Sequence, residues 1–227
     1  MEIVHGRIKG PHLLQFNSGW EMYVAATNHV NAKRHSELTG AWSAIVKSSQ
    51  SEITPLLFMR EFTWAVYVSG WSARVISAKF KAILESHHIE SDGRYIPPDG
   101  SNCFLLPGFS MGHIFQVFRN KAKATAVQRV RLAIWQQGWP AFHACYVKDR
   151  DPVKLGKLPF MGPALSCHLA RNLGNTSVVK PDKHLKRLAT HYGYESPDHM
   201  CRKLDTTRPP AMVDLTLWLA AIDCGTA

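Results

Sequence analysis

The chain of 227 residues is long enough to bury a substantial core, as one large domain or two closely packed lobes, and its 45% hydrophobic content excludes disorder as the main state. Twenty-seven Lys and Arg against 17 Asp and Glu leave a formal charge of +10, which favours a polyanionic partner, nucleic acid first among them. No apolar run approaches the roughly 18 residues of a membrane span, and there is no Walker-type, G-x-G-x-x-G or G-x-S-x-G loop to support nucleotide-dependent or serine-hydrolase chemistry.

Met1 to Pro11 reads as a short strand or arm, and its MEIVHGRIKGPH lacks a signal-peptide core, so the expected compartment is the cytoplasm, near the nucleoid. Asn17 or Ser18 can cap a helix from Gly19 to about His29, and Ser36 opens a second segment carrying Leu38, Trp42, Ile45 and Val46. Thr54-Pro55 begins the strongest helical pattern, PLLFMREFTWAVYVSG, apolar nearly all round and so a buried central helix. Ser72 then caps SARVISAKFKAILESHH. Residues 91–112 are rich in Pro, Gly, Ser and Asp and too long for an ordinary connection, with Tyr95, Asn102 and Phe104 as possible pocket residues. Two helical stretches follow between His113 and Gly138. In the second, Val127, Val130, Ile134 and Trp135 face the core, while Lys123, Arg129 and Arg131 read as a solvated face. Pro140 to Val147 reads as a short helix, and Asp151-Pro152 as a helix start.

Lys157 to Ala189, KLPFMGPALSCHLARNLGNTSVVKPDKHLKRLA, is the stretch around which the rest is arranged. Leu158-Pro159-Phe160-Met161-Gly162 suits a sharp turn between helices, Pro163 the first turn of the next helix, and Gly174 its C-terminal cap. Pro181 and Asp182 then take the first and second positions of a third helix, with Leu185 and Leu188 on its buried side. Lys154, Lys157, Arg171 and Lys180 cluster about this stretch and suit a phosphate backbone. Asp182 also has a plain structural reading, a helix start paired with Lys186 four residues on, worth about 0.2–0.5 kcal/mol. Further on, Ser196-Pro197-Asp198 starts another helix. Thr207-Arg208-Pro209-Pro210 starts the last one, in which Asp214 reads as a charge near the cap.

The order LPxxG, helix, Val178-Val179-Lys180-Pro181-Asp182-Lys183-His184-Leu185 resembles the helix-hairpin-helix, Gly/Pro-Asp superfamily of base-excision DNA glycosylases, most strongly over residues 155–190 and more weakly at Pro55–Leu84 and Val213–Ala220. The resemblance implies an all-α fold of two helical lobes with an active-site cleft between them. One would be a six-helix-barrel-like lobe over 55–174 that ends in the hairpin. The other would combine an N-terminal segment, 1–54, with the Pro-Asp loop and C-terminal helices of 175–227. Asp182 would be the catalytic carboxylate, stabilising positive charge on the deoxyribose and orienting water. Phe160, Met161, Gly162, Ala164, Lys157 and Lys180 would bind a DNA phosphate, since N–H groups at a helix N-terminus grip a phosphate without reading base identity. Trp64, Tyr67, Ser69 and Trp71 would form the base pocket, or the wedge that fills the gap left by the flipped base, a core or lid place for Trp71 being equally open.

Two positions depart from the superfamily pattern. The first hairpin glycine is Phe160, and the Schiff-base lysine of bifunctional members is Ala164, so the implied enzyme is monofunctional, without lyase activity. Its implied partner is double-stranded DNA carrying a damaged or modified base, with no membrane, and its implied state is monomeric. Cys103, Cys145, Cys167, Cys201 and Cys224 are widely spaced and match neither a disulfide framework nor the superfamily's iron–sulfur cluster, so no cofactor and no metal are expected. Two alternatives stand beside this reading. One is a phage-defence glycosylase that removes hypermodified cytosine, such as the glucosylated hydroxymethyl form. The other is a non-catalytic helix-hairpin-helix or helix-turn-helix DNA-binding protein.

Overall fold

Side-chain oxygens start most of the long helices. Ser18, Thr54, Ser72, Asn120 and Ser196 each accept a hydrogen bond from the backbone N–H three residues on, at 3.0–3.3 Å. Pro55, Pro152, Pro163, Pro197 and Pro210 occupy first helical positions, where the missing N–H costs nothing. The computed structural model describes residues 12–87, 89 and 111–225, preceded by two short strands. In chain order the elements are β1 (Ile3–Val4), β2 (Arg7–Ile8), α1 (Gly19–Lys33), α2 (His35–Gln50), α3 (Pro55–Val68), α4 (Ala73–Ser86), α5 (Met111–Val117) and α6 (Lys121–Gln137). They continue with α7 (Trp139–Phe142), which runs on into a π-helical turn (His143–Val147), then α8 (Pro152–Leu155), α9 (Pro163–Asn172), α10 (Lys183–His191), α11 (Pro197–Leu204) and α12 (Pro210–Cys224). The fold is all-α apart from β1 and β2, which pair antiparallel through Ile3 with Ile8 and Val4 with Arg7.

Several boundaries differ from the sequence pattern. α1 continues four residues past His29, α5 begins two residues before His113, and α6 starts at Lys121 because Asn120 caps it. Tyr95, Asn102 and Phe104 lie outside the described residues. Among those described, no helix is long and apolar enough to cross a membrane.

The chain folds as two compact units, one from Met1–Gln50 with Gly174–Ala227 and the other from Ser51–Leu173. In the first, residues from both ends of the chain share one core: Met22, Ala26 and Val30 of α1 with Leu185 and Leu188 of α10, Met200 of α11 and Val213, Leu217 and Ala220 of α12. Arg34, at the end of α1, grips Asp223 of α12 with two hydrogen bonds of 2.7 and 2.8 Å, and His29 adds a third contact at 3.1 Å. Burial alone would raise the Asp223 carboxyl, but Arg34 and His29 outweigh it and hold the group below its ordinary value of 3.8. A depressed folded-state value means that this contribution is complete above about pH 4 and is lost as pH falls through the folded value. Asp223→Asn should therefore shrink the loss of stability between about pH 5 and pH 2.5, read from urea midpoints at each pH. An unchanged acid loss would show that other carboxylates carry it.

In the second unit, Phe58, Met59, Phe62, Ala65, Val66 and Tyr67 of α3 are all buried, so it is the central helix that its composition implies. It packs on α6 and α9, with the Phe58 ring 5.4 Å from that of Phe142.

Candidate functional site

The turn between α8 and α9 is anchored by apolar residues at intervals of three. Leu155, Leu158 and Met161 are buried, which leaves Lys157, Phe160 and Gly162 exposed. The backbone closes through Leu158 N–H to Leu155 C=O at 3.1 Å, Met161 N–H to Leu158 C=O at 3.2 Å and Gly162 N–H to Phe160 C=O at 3.2 Å. Met161 and Gly162 therefore do not supply phosphate donors as expected, because their N–H groups are used within the turn and the Met161 side chain faces inward. The N–H groups of Phe160 and Ala164 have no protein acceptor among the described residues. Gly162 caps α9 without a side chain, Pro163 brings no N–H, and the two N–H groups after that of Ala164, of Leu165 and Ser166, return to the Gly162 C=O at 3.0 and 2.9 Å. What remains is a helix N-terminus with N–H donors that have no acceptor among the described residues, and the exposed Lys157 in the same turn, which suits an anion.

Phe160 has φ = +69°, the left-handed region that favours glycine, and its ring is 40% exposed. The turn thus keeps the backbone shape of a glycine hairpin although a bulky residue stands there, at a cost of about 1–2 kcal/mol. Comparing Phe160→Gly with Phe160→Ala isolates that cost, since both variants lose the ring. The glycine variant should be more stable by about 1 kcal/mol, after the greater freedom of its unfolded chain is subtracted. Thermal melting of the pair checks this, and the reverse order would mean that the position is not held left-handed.

Of the basic cluster expected around the hairpin, Lys157 is free to meet a ligand. Lys154 is paired with Asp149, and Arg171 is buried.

A second feature of the same unit is the turn after α3. Ser69 ends the helix, Gly70 has φ = +73°, and Trp71 is 52% exposed with its ring edge-on to Phe118 at 5.2 Å. Lys123 reaches from α6 to donate its ammonium to the C=O groups of Tyr67, at 2.7 Å, and Ser69. Burial pushes the Lys123 amine down to about 8. Lys123 and Arg131 are thus not on a solvated face. Arg131 donates to the His87 C=O at 2.6 Å, and of the three charges expected outside only Arg129 is exposed. Lys123 shares its helical face with Val127, Val130 and Ile134, a spacing visible in the sequence but overridden there by the charge of the side chain. Tyr67 is corrected too: it is fully buried, with its hydroxyl hydrogen-bonded to His87 Nε2 at 2.8 Å, so its ring offers no surface to a base. Trp64 is half-buried against the edge of Phe80 at 5.1 Å. Trp71 is the aromatic of this group that stands out into solvent, on a turn braced from beneath.

Asp182 belongs to the other unit. It is the N-cap of α10 rather than its second residue, and Pro181 lies outside the helix. Its Oδ1 accepts the N–H groups of His184 at 2.9 Å and Leu185 at 3.1 Å, which fixes the carboxylate plane. The side chain is half-exposed; among the described residues Oδ2 has no partner and no ion pair joins Asp182 to Lys186. Burial lowers the His184 imidazole, against the opposing charge of Asp182, so the ring beside the carboxylate is neutral at neutral pH. Lys180, expected at a phosphate, is half-buried with its ammonium 6.0 Å from the centre of the Trp218 ring. The exposed cations here are Lys183, Lys186 and Arg187, on the face of α10 opposite Leu185 and Leu188. Their spacing of three and four residues, alternating with the leucines, was the available signal for them.

Among the described residues no group of three or more His, Cys, Asp or Glu converges. Cys145, which is exposed, and Cys224, which is buried, are free thiols. Compared with protein-family models, with curated proteins and with solved structures, the chain matches none.

Proposed function

We propose that the protein is a monofunctional DNA glycosylase, which hydrolyses the N-glycosidic bond of a damaged or modified base rotated out of duplex DNA. The observation that carries this reading is the half-buried Asp182 carboxylate, oriented by two backbone N–H groups through one oxygen while the other has no hydrogen-bond partner among the described residues. In the proposed reaction the C1′–N bond breaks with its electron pair leaving on the base. The uncommitted oxygen of Asp182 stabilises the positive charge that develops on the sugar. Water held by the same carboxylate adds its oxygen to C1′, and its proton ends on the released base, leaving an abasic site. No amine stands at Ala164 to form a Schiff base, so the strand remains intact.

The other elements fit this scheme. α8, the turn and α9 would be the helix-hairpin-helix, with the Phe160 and Ala164 N–H groups and Lys157 on a phosphate. Lys183, Lys186 and Arg187 would add contacts to the strand near Asp182, so binding should weaken steeply with salt. Trp71 would enter the gap in the stack, where an apolar wedge offsets part of the unstacking cost. A non-catalytic reader that lays α9 in the major groove is disfavoured, because Ser166, His168, Leu169, Ala170 and Arg171 are all buried and leave little helix surface for base edges. The test is abasic-site formation on a panel of duplexes carrying oxidised, alkylated, mismatched and glucosylated hydroxymethyl bases. Release from one class names the substrate, and duplex binding with no release from any of them would replace the enzyme with a binding protein.

A further inference from the structure

Asp214 lies within α12 and is fully buried. A carboxylate withdrawn from water is strongly unfavourable unless its oxygens are met, so its presence on the buried, mainly apolar side of α12 calls for a reason. Its Oδ2 accepts the backbone N–H of Lys180 at 2.7 Å. The Lys180 C=O in turn accepts the N–H of Asp182 at 2.8 Å. Two hydrogen bonds therefore run from the interior of α12 to the backbone of the capping aspartate. The same segment is stitched to α12 a second time, by Ala211 N–H to Thr176 C=O at 3.1 Å, and Val179 between these points is buried. Pro181 leaves no N–H of its own for such a bond, so Lys180 carries the last backbone N–H before that of Asp182.

We infer that Asp214 is a positioning residue for Asp182: through the Lys180 amide it sets where the backbone enters α10, and with it the place of the Asp182 carboxylate. A carboxylate facing a sugar cation acts through distance, and a displacement of about 1 Å at such a group can cost about 10²-fold in rate. The inference rests on the glycosylase reading for its catalytic consequence, but not for its structural one.

The experiment compares the full-length wild type with Asp214→Ala and Asp214→Asn. Single-turnover base release is measured on the duplex that the wild type cleaves, together with duplex affinity and with amide hydrogen exchange over residues 178–182. Asp214→Ala should release base at least about tenfold more slowly with affinity within twofold of wild type. Exchange should quicken in 178–182 while α12 stays protected. Asp214→Asn keeps an oxygen for the Lys180 N–H and should recover part of both losses. Base release at the wild-type rate in folded Asp214→Ala, or unchanged exchange at 178–182, overturns the inference. If Asp214→Ala does not fold, Asp214→Asn decides alone: intermediate release with faster exchange supports positioning, and wild-type values for both refute it. A wild type that releases no base from any duplex ends the glycosylase reading instead, and the exchange comparison then still decides whether Asp214 holds the loop.

Discussion

Asp182→Asn should slow base release by about 10²–10³-fold, the loss typical of removing one preorganised electrostatic group from a transition state. Melting temperature and duplex affinity should stay as in the wild type. The separation is possible because asparagine caps a helix as well as aspartate does. Its side-chain oxygen can still accept the His184 and Leu185 N–H groups, so α10 starts in the same place. What disappears is the negative charge. Asp182→Ala is the contrasting variant: it should lose the same activity and, with the cap gone, about 1 kcal/mol of stability besides. Single-turnover release and thermal melting of the two variants distinguish a catalytic carboxylate from a structural one. Release by the asparagine variant at the wild-type rate would leave Asp182 as a cap and nothing more.

Gly174→Ala should destabilise the unit formed by the two ends of the chain by about 3 kcal/mol, a fall of roughly 10 °C in melting temperature. Gly174 has φ = +99°, where any β-carbon is strained. A β-carbon built there would also lie 2.3 Å from the backbone N of Ser49 and 2.5 Å from its Cα. Those are main-chain atoms of α2 and cannot rotate aside as a flexible side chain would, so strain and overpacking add. Because Gly174 opens the loop that leads through Val179 to Asp182, the variant should also lower base release beyond the fraction unfolded. Urea denaturation gives the first quantity. A loss under about 1 kcal/mol would show that the α2 backbone can yield at this contact.

The helices were legible in the sequence wherever a local rule governs them. The caps at Ser18, Thr54, Ser72 and Ser196, the first-turn prolines and the terminating Gly174 each depend on atoms within four residues of one another, and local chemistry decides them before anything packs. The sharp turn at Leu158 to Gly162 belongs with these, since an apolar run that ends in Gly162 just before Pro163 marks it locally. The conformation of Phe160 was not legible, because a phenylalanine gives no local reason to adopt a positive φ; the turn imposes it.

By itself, then, the order of residues determined where most helices begin, that α3 would be a largely buried central helix, and that Asp182 would stand at a helix N-terminus. Tertiary structure decided the fate of the charged and polar side chains inside. Lys123 has the helical phase of a core residue and the charge of a surface one, and the nearby carbonyls of Tyr67 and Ser69 settle the conflict by giving a buried ammonium its acceptors. Tyr67 turns inward because His87 is there to bind its hydroxyl, and one oxygen of the buried Asp214 is met by the Lys180 amide, 34 residues away in the chain. The physical reason is common to all three: apolar burial is additive along a helix and shows as periodicity, whereas a buried polar group is stable only with a specific partner, and that partner comes from a distant part of the chain.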